Sequence, residues 1–111
     1  MEPEIEVVLS NVPDEKIARE LVETLVRERH AACGTILPGV TSVYWWDGAV
    51  QRGNEVLVML KTTKAQSGRL VERAREIHPY DVPELIVLPV RTGDPSYLEW
   101  VSRETTGRTP E

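Results

Sequence analysis

Cysteine is nearly absent from this chain. Of 111 residues only Cys33 carries a thiol, so no intramolecular disulfide can form and a reducing compartment is the expectation. Histidine occurs twice, at His30 and His78, with no CxxC motif and no paired histidines of the kind that announce a metal site. Basic residues are outnumbered, 13 Lys and Arg against 18 Asp and Glu, for a net charge of -5. That balance argues against a nucleic-acid binder, which needs a basic stripe to meet phosphates, and against an anionic membrane surface. No apolar stretch approaches the ~20 residues of a membrane-spanning helix. The opening "MEPEIEVVLS" is acidic and lacks the basic region and apolar run of a signal peptide, so the cytoplasm is the expected location. Internal repeats and low-complexity segments are also missing.

What remains is ordinary globular material, 41% apolar and 28% charged. It fits one domain, residues 1–103, with the polar residues 104–111 read as a frayed tail. A domain of this size buries roughly 65% of the surface its unfolded chain exposes.

Periodicity supplies the elements. "IEVVLS" reads as a first strand. "NVPDE" carries helix-start chemistry, with Asn11 as cap, Pro13 in the first turn and acids where the helix dipole favours them. Ile17, Leu21 and Leu25, with Ala18, Val22 and Val26 beside them, form the apolar stripe of the helix that follows. An extended run from His30 to Trp46 is interrupted at Pro38-Gly39, which predicts a kink or bulge. Asp47-Gly48 predicts a tight hairpin turn, Gly53-Asn54 a second bulge, and "EVLVMLKTT" the return strand. "KAQSGRLVERAREIH" follows as a second helix, then "ELIVLPV" as a last strand and a terminal helix capped by Asp94 with Pro95 at its first position. The order is α+β, a βαββαβ ferredoxin-like sandwich with an added C-terminal helix, both crossover helices on one face of the sheet.

That arrangement leaves a second face, and a solvated face should be polar at alternate positions. "VLVML", "LIVL" and "VVL" are instead apolar throughout. The short terminal helix can cover only part of such a face, so the pattern predicts an oligomer. Trp45 and Trp46 repeat the theme. Neighbours on a strand point to opposite sides, so one indole serves its own subunit and the other a neighbour, and Tyr44, Trp45 and Trp46 become candidate interface residues.

The residues able to ligate a metal are His30, Cys33 and His78, with Asp81 and Glu84 as carboxylates; a mixed set of this kind favours copper(II). Cys33 and His78 are the leading pair. As a nucleophile Cys33 has no local base, and among small residues at a strand start it reads as a structural thiol. "HPYDVPE" is the stiffest polar loop, gathering His78, Tyr80 and Glu84 between two prolines. It is either a ligand loop or a helix stop in which His78 caps carbonyls and Tyr80 bonds at an interface. Lys61 ends an otherwise apolar run and needs either solvent or an anionic partner. Trp46, Lys61, His78, Tyr80 and Glu84 are together the candidate lining of a ligand cleft between subunits.

The blocks "VLSNVPDEKIARELVETLVRERHAACGTILPGVTSVYWWDG", "EVLVMLKTT" and "HPYDVPELIVLPVRTGDPSYLEWV" resemble the CutA1 family, the divalent-cation tolerance proteins, over nearly the whole chain from Ile5 to Val101. The resemblance implies a tight homotrimer, similar in architecture to the PII signalling proteins, with sheets inward, helices outward and the long hairpin reaching onto a neighbour. It also implies a link to divalent-metal tolerance, with copper binding proposed for some members. Against that pattern Ser10 stands where some members have cysteine, Ile77 where some have histidine, and His30 where leucine is more usual. The chain is thus expected to be a trimeric protein binding a metal ion or a small anionic ligand at intersubunit clefts. The alternative is a stable trimeric scaffold or PII-like adaptor that docks another protein. An enzyme ranks last, because no nucleophile, base and orienting group fall together.

Overall fold

The computed structural model describes residues 2–105. Its elements run β1 (Ile5–Val12), α1 (Glu15–Arg27), β2 (Cys33–Trp46), β3 (Ala49–Thr63), α2 (Lys64–Ile77), β4 (Ile86–Pro89) and α3 (Pro95–Glu104). The four strands form one antiparallel sheet in the order β2-β3-β1-β4.

Alternation along the strands divides the side chains between two faces. Val8 and Val12 of β1 and Val56, Val58 and Leu60 of β3 turn toward the helices. There they meet Ala18, Leu21, Val22 and Leu25 of α1 and Leu70 and Ala74 of α2 in a single buried core. The helices approach closely because β2 offers Gly34: a methyl there would lie 2.6 Å from Val22 Cγ1.

Three local features depart from the sequence reading. β1 continues through Val12, paired with Val56, so Asn11 is a strand residue. Asp14 caps α1 instead, its carboxylate accepting from the Ile17 N–H at 2.8 Å. At Gly53-Asn54 the ladder is unbroken, with Ser42 opposite Gly53 and Thr41 opposite Asn54. The one register shift between β2 and β3 falls between Leu37 and Val40, at the expected Pro38-Gly39 kink, where Pro38 has no N–H to donate and Gly39 takes φ 75°. The expected tight turn is present, with positive φ at both Asp47 and Gly48. The last strand is shorter than expected, pairing only Ile86–Pro89 with Leu9–Glu6 of β1.

The second face carries Val7 and Leu9, Leu57 and Met59, and, on the outer strands, Leu37, Ile86 and Leu88. α3 covers one end of it: Leu98 and Val101 pack on Ile5 and Ala32. A 2.7 Å ion pair from Arg29 to Glu104 pins that helix. Its end is tighter than the expected fraying from 104 onward, since Glu104 is helical and Thr105 is buried with its hydroxyl on the Val101 carbonyl at 2.8 Å. The rest of the expected tail lies outside the described residues. Beyond α3 the face is bare: Leu37, Ile86 and Leu88 are 49%, 46% and 44% exposed.

Candidate ligand groove

Pro79 ends α2 by forcing His78 into an extended conformation, and the chain then crosses the end of β1 to reach β4. His78 anchors this crossing. Its ring is almost fully covered, with Nδ1 accepting from the Tyr80 N–H at 3.1 Å and Nε2 lying 3.0 Å from the Asn11 carbonyl and 3.1 Å from Ser10 Oγ. Since Nδ1 accepts, the neutral tautomer carries its proton on Nε2 and donates it to the Asn11 carbonyl. Burial pushes the His78 pKa down, outweighing the Asn11 carbonyl and the Glu55 charge, which act the other way.

The Tyr80 ring packs beside that imidazole with centroids 5.0 Å apart. Its hydroxyl donates to Glu55 Oε2 at 2.8 Å, and burial together with that bond pushes its pKa up to about 12. Asn11 Nδ2 donates to Glu84 Oε1 at 3.3 Å across the same loop. Beyond the bulge, Ser42, Tyr44 and Trp46 of β2 stand opposite Gly53, Gln51 and Ala49, on the side of the hairpin that bears Glu55. Loop, strand end and hairpin thus enclose an open groove of about 810 Å³ lined by Asn11, Tyr44, Trp46, Glu55, Tyr80, Asp81 and Glu84, with Val43 and Val82 among its apolar walls.

Of the five residues expected to line one cleft, the structure gathers Trp46, Tyr80 and Glu84. His78 lies behind them and shapes the loop without reaching the groove. Lys61 lies away from it, opposite Cys33 in the ladder and donating to Thr35 Oγ1. An anion held jointly by Lys61 and this loop is therefore not a feature of the single subunit.

The expected metal pair is likewise divided. Cys33 shares the second face with Lys61, its Sγ 3.4 Å from the Tyr97 hydroxyl, whereas His78 engages Ser10 on the helix face. The sheet separates the two. His30 is elsewhere again, 3.4 Å from Glu28, whose carboxyl is held below its ordinary range chiefly by its hydrogen bond to Arg73. Among the described residues no three His, Cys, Asp or Glu side chains converge to hold a metal ion.

The hairpin tip separates the two indoles as alternation requires. Trp46 faces the groove, and Trp45 joins Val50 across the ladder on the opposite side. Neither is buried within the subunit, at 68% and 76% exposed. The expectation that one indole would serve its own core is not met, because the hairpin projects beyond α1 and α2. Glu55 and Asn11 were missed from the sequence. The signal for Glu55 was a carboxylate opening an otherwise apolar strand; Asn11 was masked by its resemblance to a helix cap.

The family model described as CutA1 divalent ion tolerance protein matches residues 6–104. The chain belongs to the CutA1 family. Among curated relatives, the divalent-cation tolerance protein CutA of Thermus thermophilus is 48% identical over 102 residues, covering 92% of this chain and 98% of that one. The protein of the same name from Citrobacter koseri is 46% identical, covering 90% and 87%. Among solved structures, CutA1 from Oryza sativa superposes with a TM-score of 0.92 at 38% identity, covering 96% of this chain and 98% of that chain. The Thermus thermophilus Cut A1 structure gives 0.88 at 46%, covering 91% and 98%.

Proposed function

We propose that the chain is a divalent-cation tolerance protein of ferredoxin-like, PII-like architecture. It assembles as a cytoplasmic homotrimer and binds a metal ion or small ligand in the groove, at the border between subunits. One observation carries this reading: the groove opens on the same sheet face that is left bare and apolar. Asn11 and Glu55 continue the rows of Leu9 and Leu57, and Tyr44 and Trp46 extend that face along the hairpin. A surface of exposed leucine and isoleucine beside an exposed tyrosine and tryptophan is what a subunit interface requires, and a groove at its rim would be completed by the neighbour. The order βαββαβ with the sheet β2-β3-β1-β4 supports the ferredoxin-like description. The relatives are named for tolerance and not for a reaction, and the proposal contains no catalytic step.

The test joins assembly to binding. Light scattering coupled to size exclusion should give three times the 12.5 kDa subunit mass. Calorimetry with copper(II) or zinc in a non-coordinating buffer tests the metal half of the reading: saturable heat that Glu84→Gln reduces would put the ion in the groove, and no heat would leave the groove to a small ligand. A sharp monomer peak would remove the assembly, and heat indifferent to that substitution would remove the groove as the metal's site.

A further inference from the structure

The open face of the sheet ends in opposite charges. Along β3 the residues that turn to it are Glu55, Leu57, Met59 and Lys61, in that order. Glu55 stands at the groove, where Asp81 and Glu84 join it and no lysine, arginine or histidine does among the described residues. The hydrogen bonds that Glu55 and Glu84 accept come from neutral groups, the Tyr80 hydroxyl and the Asn11 amide. At the other end Lys61 donates to Thr35 Oγ1 and forms no ion pair among the described residues. Six residues of extended strand, roughly 20 Å, keep Lys61 and Glu55 of one chain apart. Covering this face changes what those charges cost. In water each is solvated, but beneath a neighbouring subunit an unpaired carboxylate or ammonium is strongly destabilising. The apolar middle calls for cover, and the charges at its two ends then call for partners.

We propose that the groove of each subunit is completed by Lys61 of the partner subunit, whose ammonium meets Glu55. The proposal rests on the reading of the open face as the subunit interface, and it names the contact that sets the direction of assembly. A lysine ammonium is a compact cation with three N–H donors on a flexible stem, so it can serve more than one carboxylate. Glu55 accepts one hydrogen bond from Tyr80 and keeps further lone pairs for it. The opposite arrangement would set Lys61 against Lys61 and Glu55 against Glu55, and like charges brought together under cover repel. Unlike ends joined head to tail around a ring repeat the contact once per subunit. The groove's missing cation and the lysine's missing anion are then supplied by one interface.

The test exchanges the charges in the full chain. Lys61→Glu and Glu55→Lys each set like charges together at every contact. Each should lower the thermal midpoint of the assembly and raise, about tenfold or more, the subunit concentration at which it is half assembled. Lys61→Glu with Glu55→Lys in one chain restores opposite charges at every contact and should recover most of the wild-type assembly. A lysine at position 55 can still meet the Tyr80 hydroxyl, which then accepts. Positions 55 and 61 of one chain cannot touch, so only a contact between subunits produces that recovery. Circular dichroism reports the fold of each variant. Where a reversal fails to fold, Lys61→Gln and Glu55→Gln give the same coupling: together they should weaken assembly by less than the sum of their separate effects. Additive effects, or single variants that assemble and melt like wild type, overturn the pairing and leave the trimer standing. A monomeric wild type overturns the interface itself.

Discussion

The two faces of the sheet are built by the same strands from almost the same residues, and they meet opposite fates. From β3, Val56, Val58 and Leu60 turn one way and are buried, while Leu57 and Met59 turn the other and are only half covered. From β1, Val8 and Val12 are sealed beneath α1 and α2, while Val7 and Leu9 lie in the open stripe between α3 and the groove. Hydrophobicity along a strand therefore reports how much surface must be covered and not what covers it. On one face the cover is local. On the other it is local only where α3 reaches Ile5 and Ala32, and the uncovered middle separates two polar ends: Cys33, Thr35, Lys61 and Tyr97 near α3, and Asn11 and Glu55 at the groove.

The difference can be broken from either side. Leu60→Ala removes a fully buried side chain from the helix face, and should cost about 2–5 kcal/mol, lowering the thermal midpoint at every protein concentration. Gly34→Ala should act in the same direction, about 1–3 kcal/mol, since the added methyl would overlap Val22. Leu88→Lys on the open face should behave differently. The subunit should stay folded by circular dichroism, while light scattering shows the assembled mass falling toward 12.5 kDa and the midpoint becoming concentration dependent. If Leu88→Lys changes neither assembly nor melting, the second face is solvated in solution and the contrast between the faces has no functional meaning.

Periodicity made the helices, the hairpin turn and the excess of apolar residues on the strands legible, because each depends on residues close in sequence. The groove was only half legible. Tyr80 and Glu84 stood out on a stiff loop, and Trp46 at a hairpin tip. Which of them meet depends on the register of β2 against β3 past the Leu37/Val40 shift, and a shift moves every later residue to the other face. Lys61 and Cys33 lie apart from that loop within one chain, and spacing along the sequence says nothing of which sheet face a residue shares with a distant loop. His78 was recognised as important, but its chemistry was not. Its partners Ser10 and Asn11 lie 68 and 67 residues away, and only the folded chain shows that both ring nitrogens are engaged.

The groove end of the open face offers a finer test of local cover. Tyr80→Phe removes the donor to Glu55 and leaves a carboxylate that can turn to water, so the cost should be about 1 kcal/mol in denaturant melts. A value near zero would mean that the hydroxyl is equally well placed in water, and that the loop is held by His78 and the Asn11–Glu84 bond without it.

The smallest effect should come from His78 itself, as a dependence on pH. The folded chain holds the ring neutral, and protonating Nδ1 would set an N–H against the Tyr80 N–H. Burial lowers the pKa from its ordinary value of 6.5. Below that pH the unfolded chain takes up a proton that the folded chain resists, so unfolding binds protons and stability must rise with pH across the window. The contribution is therefore fully present above 6.5 and is lost as pH falls through the folded value. Wild type should lose thermal midpoint more steeply between about pH 7 and pH 5 than His78→Gln, in which nothing titrates at this position. Carboxylates that titrate lower are common to both proteins and cancel in the difference. Parallel profiles would show that His78 takes its proton as readily folded as unfolded. The neutral ring, and with it the clamp between β1 and the loop that shapes the groove, would then be wrong.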